Sequence, residues 1–363
     1  MRNRFDIIFA HNASKGEDFL AQLLGKDPLF VCVISTTETA KISGLSAAGR
    51  NPELTDYTPP ADAELLLLGR CKCISGVPVT PEGIPTPALI TRSALKLASI
   101  PMLIVSGGLK VKPKVPFLDL GGGPGEDIRT GRAVENVEEV IERARIAGEN
   151  LAKIAGYLVI GESIPGGTTT ALGILLAMGV DARGRVSSSM PQNPHDLKIK
   201  VVEAGLKASG IEFGGLSNNP AKAISCIGDP MVPAFAGLVL GAAGRVPVLM
   251  AGGTQMGAVL AVLKALNPVL LGNVAVGTTK WIIADRTSDL EGIIVQITDI
   301  PILAADLDFT SSRFSGLKAY ELGVVKEGVG AGGAAIAAML RSNGSITKGA
   351  LLSEVETNYE KLL

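Results

Sequence analysis

Short apolar runs, many rich in β-branched residues, alternate with amphipathic stretches along most of the chain. The runs fall at 7–10, 30–34, 65–68, 103–105, 158–160, 246–250 and 281–284. Runs that are apolar on both faces predict strands buried between two layers. Their alternation with helical patterns predicts a parallel sheet covered by helices. The clearest helical pattern spans 134–154, where Val137, Ile141, Ala144 and Leu151 share one face. Glu135, Glu138, Glu139, Glu142 and Arg145 occupy the other. It leads straight into the run at 158–160. Further helices are predicted at 195–208, after Asn193-Pro194, and at 348–363. There is no internal repeat and no low-complexity tract. The expected fold class is α/β, a Rossmann-like parallel sheet flanked by helices. The different texture of the two chain ends adds the expectation of a smaller helical lobe from 1–90 and 341–363, beside a large α/β catalytic domain over 91–340.

Proline and glycine concentrate at 76–87 and 109–125, which read as loops at the mouth of the sheet, where open α/β sheets bind ligands. The chain has 363 residues with 44 glycines and 21 prolines and no period of three, so it is rich in glycine-lined turns that let backbone approach a ligand. With 34 basic against 35 acidic side chains, its formal charge is -1. That leaves no excess positive field for a polyanion, which argues against nucleic acid or an anionic membrane as partner. A 47% share of hydrophobic residues excludes intrinsic disorder. The longest uncharged stretch, 246–263, is broken by Gly252, Gly253, Thr254 and Gln255, so it reads as strand, turn and helix rather than a membrane span. Residues 1–9 carry Asp6 and only a four-residue apolar run, too little for a signal peptide. The expected location is cytoplasmic. Cys71-Lys72-Cys73 has the wrong spacing for zinc or thioredoxin-type chemistry, and all four cysteines are expected to be buried thiols.

Two glycine clusters carry the chemistry. Gly161-Glu162-Ser163-Ile164-Pro165-Gly166-Gly167-Thr168-Thr169-Thr170 follows a predicted strand and opens an apolar helix, a setting that favours a bound phosphate or carboxylate. It nearly forms a Walker A loop, but Gly167 stands where lysine is required, which disfavours nucleoside triphosphate hydrolysis. The plainer alternative is a glycine turn with a threonine cap. Lys326-Glu327-Gly328-Val329-Gly330-Ala331 precedes a second apolar helix and sets an acid among glycines, as a base beside a bound ligand would be. A solvated glutamate that favours the helix dipole is the competing reading. His11 and His195 pair with no nucleophile motif and no metal spacing, and His195 reads as structural at its helix start. Gly121-Gly122-Gly123-Pro124-Gly125 is not a dinucleotide fingerprint.

In this order, the two clusters resemble the nicotinate-nucleotide:dimethylbenzimidazole phosphoribosyltransferases of cobamide assembly, in their archaeal and cyanobacterial branch. Gly161-Glu162 and Gly166 to Ala171 match the family's Gly-Glu-x-x-x-Gly-Asn-Thr-Thr, and Lys326 to Ala331 matches its Gly-Glu-Gly-Thr-Gly-Ala. Lys198 to Glu203 resembles its phosphate-contacting lysine helix. Ala236-Gly237 with Arg245-Val246-Pro247-Val248-Leu249, and Thr130-Gly131-Arg132, fit as well. The resemblance runs from about Thr130 to Leu340 and is weak over the first 100 residues.

It implies a homodimeric enzyme that moves phosphoribose from nicotinate mononucleotide to a benzimidazole-type base or adenine. No cofactor or metal is called for. Glu327 becomes the general base and Glu162 a second acid of the site. Gly166, Gly167, Thr168, Thr169, Lys198, Gly328 and Gly330 are implied to hold substrate. The residues agree with this chemistry. The leaving nicotinate nitrogen is already positive and needs no general acid, and the acidic pair expected of a magnesium-dependent pyrophosphoryl-ribose site is missing.

Three departures stand out. Gly167 replaces the family's asparagine, Met231 an acid, and Ala251-Gly252-Gly253 an Asp-Gly-Phe. They predict a site that has lost polar groups, with broadened base choice. They also keep open the alternative of a non-catalytic nucleotide or base carrier or sensor on the same fold.

Overall fold

A computed structural model describes residues 5–49 and 51–363. Residues 1–4, the start of the N-terminal stretch read above, lie outside the described residues, as does residue 50. The strands are β1 (Ile7–His11), β2 (Pro28–Ser35), β3 (Met102–Gly108), β4 (Leu118–Asp119), β5 (Tyr157–Ser163), β6 (Val248–Ala251), β7 (Val274–Thr279) and β8 (Ile302–Ala305). They form one sheet in the order β1-β8-β7-β6-β5-β2-β3-β4. All neighbours are parallel except β1, which pairs antiparallel with β8 at the edge.

The helices are α1 (Ala13–Leu23), α2 (Thr58–Leu68), α3 (Ala88–Leu97), α4 (Val137–Leu151), α5 (Gly167–Ala177), α6 (His195–Ser209), α7 (Pro220–Ile227), α8 (Met231–Ala242) and α9 (Gln255–Leu266). Three short ones follow, α10 (Lys280–Ile283), α11 (Leu290–Ile294) and α12 (Ser315–Lys318), and then α13 (Ala331–Arg341) and α14 (Lys348–Glu360).

Strand alternation sorts the interior into two apolar layers. Val31, Val33, Leu158, Ile160, Val248 and Met250 face one layer, with residues of α4 to α9 and α11. Phe30, Cys32, Ile34, Val159, Leu249 and Ala251 face the other, with residues of α1, α2, α3, α13 and α14. All eight residues of β2 are buried, as both-face coverage requires. The segment 1–90 thus supplies two strands of the common sheet. Its helices α1 and α2 lie in the same layer as the C-terminal helices α13 and α14.

Two predicted strands are helical instead. Residues 65–68 form the last turn of α2, and 281–283 fall on α10, just after the true strand β7. A four-residue apolar run fits a buried helix as well as a buried strand, because side chains meet apolar partners all round in either. The strands β4, β7 and β8 had no predicted counterpart. The helix expected at 134–154 is shorter, Val137–Leu151, with Val137, Val140, Ala144 and Gly148 buried. Only Cys32 and Cys226 are buried thiols; Cys71 and Cys73 keep partial exposure, contrary to expectation.

The chain lays β2, β3 and β4 outward in one direction. It then crosses to β5 on the other side of β2 and continues through β6, β7 and β8. The reversal leaves a crevice beyond the carboxyl ends of β2 and β5, the place where open sheets take ligands.

Candidate active site

A cleft with an empty volume of about 940 Å³, open mouth included, occupies that crevice. Its floor is the end of β5, Glu162 and Ser163, followed by Ile164 to Thr168 at the start of α5. Asp62 of α2 and the loop 78–87 form one wall, and Ser187 to Ser189 with Gly253 to Gln255 another. Val325 and Glu327 to Val329 complete it from the C-terminal part of the chain. The expected loop at 76–87 therefore does border the site, whereas 109–125 contributes no lining residue.

Backbone geometry aims the second glycine cluster. Gly328 and Gly330 have φ of 152° and 68°, and the β-branched Val325 and Val329 are also left-handed, each at 54°. Such a conformation costs a β-branched residue about 1–3 kcal/mol and persists only where surrounding bonds fix it. Here Val325 N–H donates to Ser189 O at 3.0 Å and Val329 N–H to Glu162 O at 2.9 Å. The Thr91 hydroxyl donates to Val329 O at 2.8 Å. A Cβ on Gly330 would lie 2.9 Å from Gly161 Cα, so the two clusters meet backbone to backbone. The hooked loop presents Glu327 to the cleft, where its carboxylate accepts from Gly328 N–H at 3.1 Å and Gly332 N–H at 3.2 Å.

Four acids gather here. Burial pushes the Glu327 carboxyl up to about 7, against the opposing pull of the Gly328 and Gly332 amides. Glu162 rises to about 8, first through burial and then through the charges of Asp229 and Glu327. Asp62 rises to about 7 through burial, although Ser163 and Thr86 donate hydroxyls to it at 2.7 and 2.8 Å. Asp229 rises to about 6 through burial, held by the Thr170 hydroxyl and the Met231 and Val232 amides.

On the facing side, Lys198 of α6 is fully buried. Its ammonium donates to Thr168 Oγ1 at 2.8 Å and to Ser187 O. Burial, then the nearby Lys326 charge, lowers it to about 7. Lys326 itself is spent on Asp285 at 2.9 Å and Met190 O at 3.0 Å; against its burial, Asp285 is held well below the usual carboxylate range by the Thr287 hydroxyl and then by Lys326.

Of the residues singled out from sequence, Glu162, Gly166, Gly167, Thr168, Glu327 and Gly328 line the cleft. Thr169, Lys198 and Gly330 stand behind it. Thr169 is fully buried with its hydroxyl unpartnered, Lys198 reaches the cleft through Thr168, and Gly330 packs on Gly161. The histidines lie elsewhere: His195 meets Thr287 O at 2.7 Å, and His11 sits between Glu291 and Asp299.

The reading of the three departures needs correction. Met231 and Ala251 are fully buried and neither lines the cleft, so they subtract nothing from its polar surface. The side-chain amide of Gln255 fills the space beside Gly167 that a Cβ would need. Asp229, two residues before Met231, keeps an acid at the start of α8. Of the residues in the three departures, Gly167 and Gly253 border the cleft.

Sequence reasoning missed Asp62, Thr86, Ser163, Asp229, Thr254 and Gln255 as members of this neighbourhood. The available signal was a charge inside an apolar run: Asp62 in Thr58–Leu68 and Asp229 just ahead of the apolar Met231–Ala242.

No family model matches the sequence. Among solved structures, the chain is similar to CobT from Thermus thermophilus, with a TM-score of 0.59 and 18% identity over 91% of this chain and 89% of that one. It is also similar to a nicotinate-nucleotide-dimethylbenzimidazole phosphoribosyltransferase from the same organism, with a TM-score of 0.54 and 15% identity over 92% and 91%. The fold is thus the α/β fold of these phosphoribosyltransferases. The chain belongs to the UPF0284 proteins. It is 48% identical over 327 residues to the one from Methanothermobacter thermautotrophicus, covering 89% of this chain and 90% of that one. It is 47% identical over 351 residues to the one from Archaeoglobus fulgidus, covering 96% and 98%.

Proposed function

We propose that the chain is a phosphoribosyltransferase that moves phosphoribose from nicotinate mononucleotide to a benzimidazole-type base or adenine, as a step of cobamide assembly. One observation carries the reading. A carboxyl poised near neutrality, Glu327, opens on the same cleft as the N-terminus of α5, where Thr168 connects to the buried Lys198.

The helix start, with Thr168 in the cleft and Lys198 behind it, suits the dianionic phosphate. The incoming base presents its ring N–H to Glu327, which takes the proton while the ring's attacking nitrogen forms a bond to C1′ of the ribose. The bond from C1′ to the nicotinate nitrogen breaks, and its electron pair neutralises the ring's positive charge. No proton is needed by the leaving group, so one carboxylate base suffices. Alignment of two ligands in one cleft supplies the rest, with a contribution of about 7–11 kcal/mol where the reacting atoms are well placed. A cytoplasmic homodimer that uses no cofactor belongs to the same proposal. Among the described residues no helix is long and apolar enough to cross a membrane.

The test is Glu327→Gln. Nicotinate mononucleotide should bind it as it binds the parent chain, by calorimetry, while turnover with any accepted base falls about 100-fold or more. Undiminished turnover would remove Glu327 from the reaction.

A further inference from the structure

Among the cleft-lining acids, Asp62 is the one from the first 100 residues, where the motif resemblance is weak. It lies in the middle of α2, is 2% exposed and still lines the cleft. Its described partners are the Thr86 hydroxyl on Oδ1 and the Ser163 hydroxyl on Oδ2, both donors, and neither is a cation. Glu64, two residues on, makes the contrast: its carboxylate is consumed by the amides of Lys72, Cys73 and Lys114 and staples loops together. A carboxylate offers about four acceptor positions, so the ionised Asp62 keeps two unspent, in a wall it shares with Glu162 and Glu327. Ser163 and Thr86 are themselves lining residues, and each hydroxyl proton is already turned toward Asp62. Above its raised pKa of about 7, Asp62 therefore accepts and does not donate. A methyl or ether group pressed against it would strip water from the carboxyl without replacing the hydrogen bonds.

We propose that Asp62, held by Ser163 and Thr86, selects the acceptor base, and that it favours heteroaromatic bases bearing an exocyclic N–H or O–H donor. The inference rests on the transfer reaction proposed above for what occupies this wall, and it names the base class within it.

Matched pairs of bases test it on the full-length protein. The pairs are adenine against purine, and hydroxybenzimidazole against methoxybenzimidazole, each pair differing at one donor. Calorimetry gives the binding of each base, and product analysis with nicotinate mononucleotide gives each kcat/KM. The donor-bearing base should be preferred by about 100-fold or more, the scale at which a site built for a hydrogen bond rejects an analogue that lacks it. In Asp62→Asn, which turns one acceptor edge into a donor, the preference should drop by at least tenfold. In Glu64→Gln, which disturbs the same helix outside the cleft, it should persist, so the loss tracks the Asp62 carboxyl and not a disturbed helix. Equal use of both members of a pair by the parent chain, or a preference untouched in a folded Asp62→Asn protein, overturns the proposal. If no base is turned over, the transfer reaction falls while the calorimetric ratios still decide the role of Asp62. Donor-selective binding lost in Asp62→Asn sustains it, and indifferent or absent binding ends it.

Discussion

Glu327 is poised by two opposed effects, a buried site that favours its neutral form and amides that favour its charge. A general base works deprotonated, so kcat/KM should climb with pH on the acid side of about 7 and level above it. Asp62 and Glu162 titrate in the same span, so the apparent pKa of that limb belongs to the cluster rather than to one group. A profile flat from about pH 5 to 9 would contradict the assignment. Gly167 offers a second residue-level test. A side chain there meets the Gln255 amide, the far end of a flexible chain, so Gly167→Ala should weaken folding and ligand binding modestly, and Gln255→Ala added to it should recover much of the loss. Thermal melting of the single and double variants, with and without nicotinate mononucleotide, measures both effects. Such compensation was invisible in the sequence because Gln255 and Gly167 are remote along the chain. Glu162 and Glu327, by contrast, announced themselves, since each stands in a glycine-rich turn ahead of an apolar helix.

Elements were legible in proportion to how strongly one face differs from the other. The helix α4 alternates acids with apolar residues and was found within three residues at each end, whereas α2 carries nine buried residues of eleven and shows no polar stripe to betray its period. Its closing leucines read equally well as a strand. Packing between elements was less legible still. Helices α4 and α8 approach so closely that a Cβ on Gly148, Gly237 or Gly241 would overlap the backbone of the other helix. Gly237→Ala should therefore force these helices apart and lower stability by about 1–3 kcal/mol, the usual range for overpacking, read as a shift in urea midpoint at unchanged slope. An unshifted midpoint would mean that the two helices can slide without cost.

At the scale of the molecule, the four clustered acids oppose the usual pH behaviour of carboxylates. Their folded pKa values, about 6 to 8, exceed the ordinary 3.8 and 4.5, so the folded state holds these protons more tightly than the unfolded chain does. The stability they contribute is complete below about pH 4 and is lost as pH rises through 6 to 8. Asp285 and Glu64, both depressed by their partners, act with the other sign and lose their contribution under acid conditions. The melting temperature should accordingly peak on the acid side of neutrality and fall toward pH 9, and Glu162→Gln should flatten that fall. A melting temperature that rises steadily from pH 5 to 9 would show that these acids ionise freely in the folded state.

The strand β2 carries a consequence for how the molecule comes into being. It is made early, is buried along its whole length, and has β3 on one side but β5 on the other, which arrives only after α4. Until then a nascent chain leaving the ribosome holds an uncharged strand with a free edge, a ready template for pairing with a neighbouring chain. Parallel partners so distant along the chain also close slowly. Production of this protein should be limited by aggregation of partly made chains rather than by the durability of the finished one, and slower synthesis at lower temperature, or chaperones that shield that edge, should raise the soluble yield.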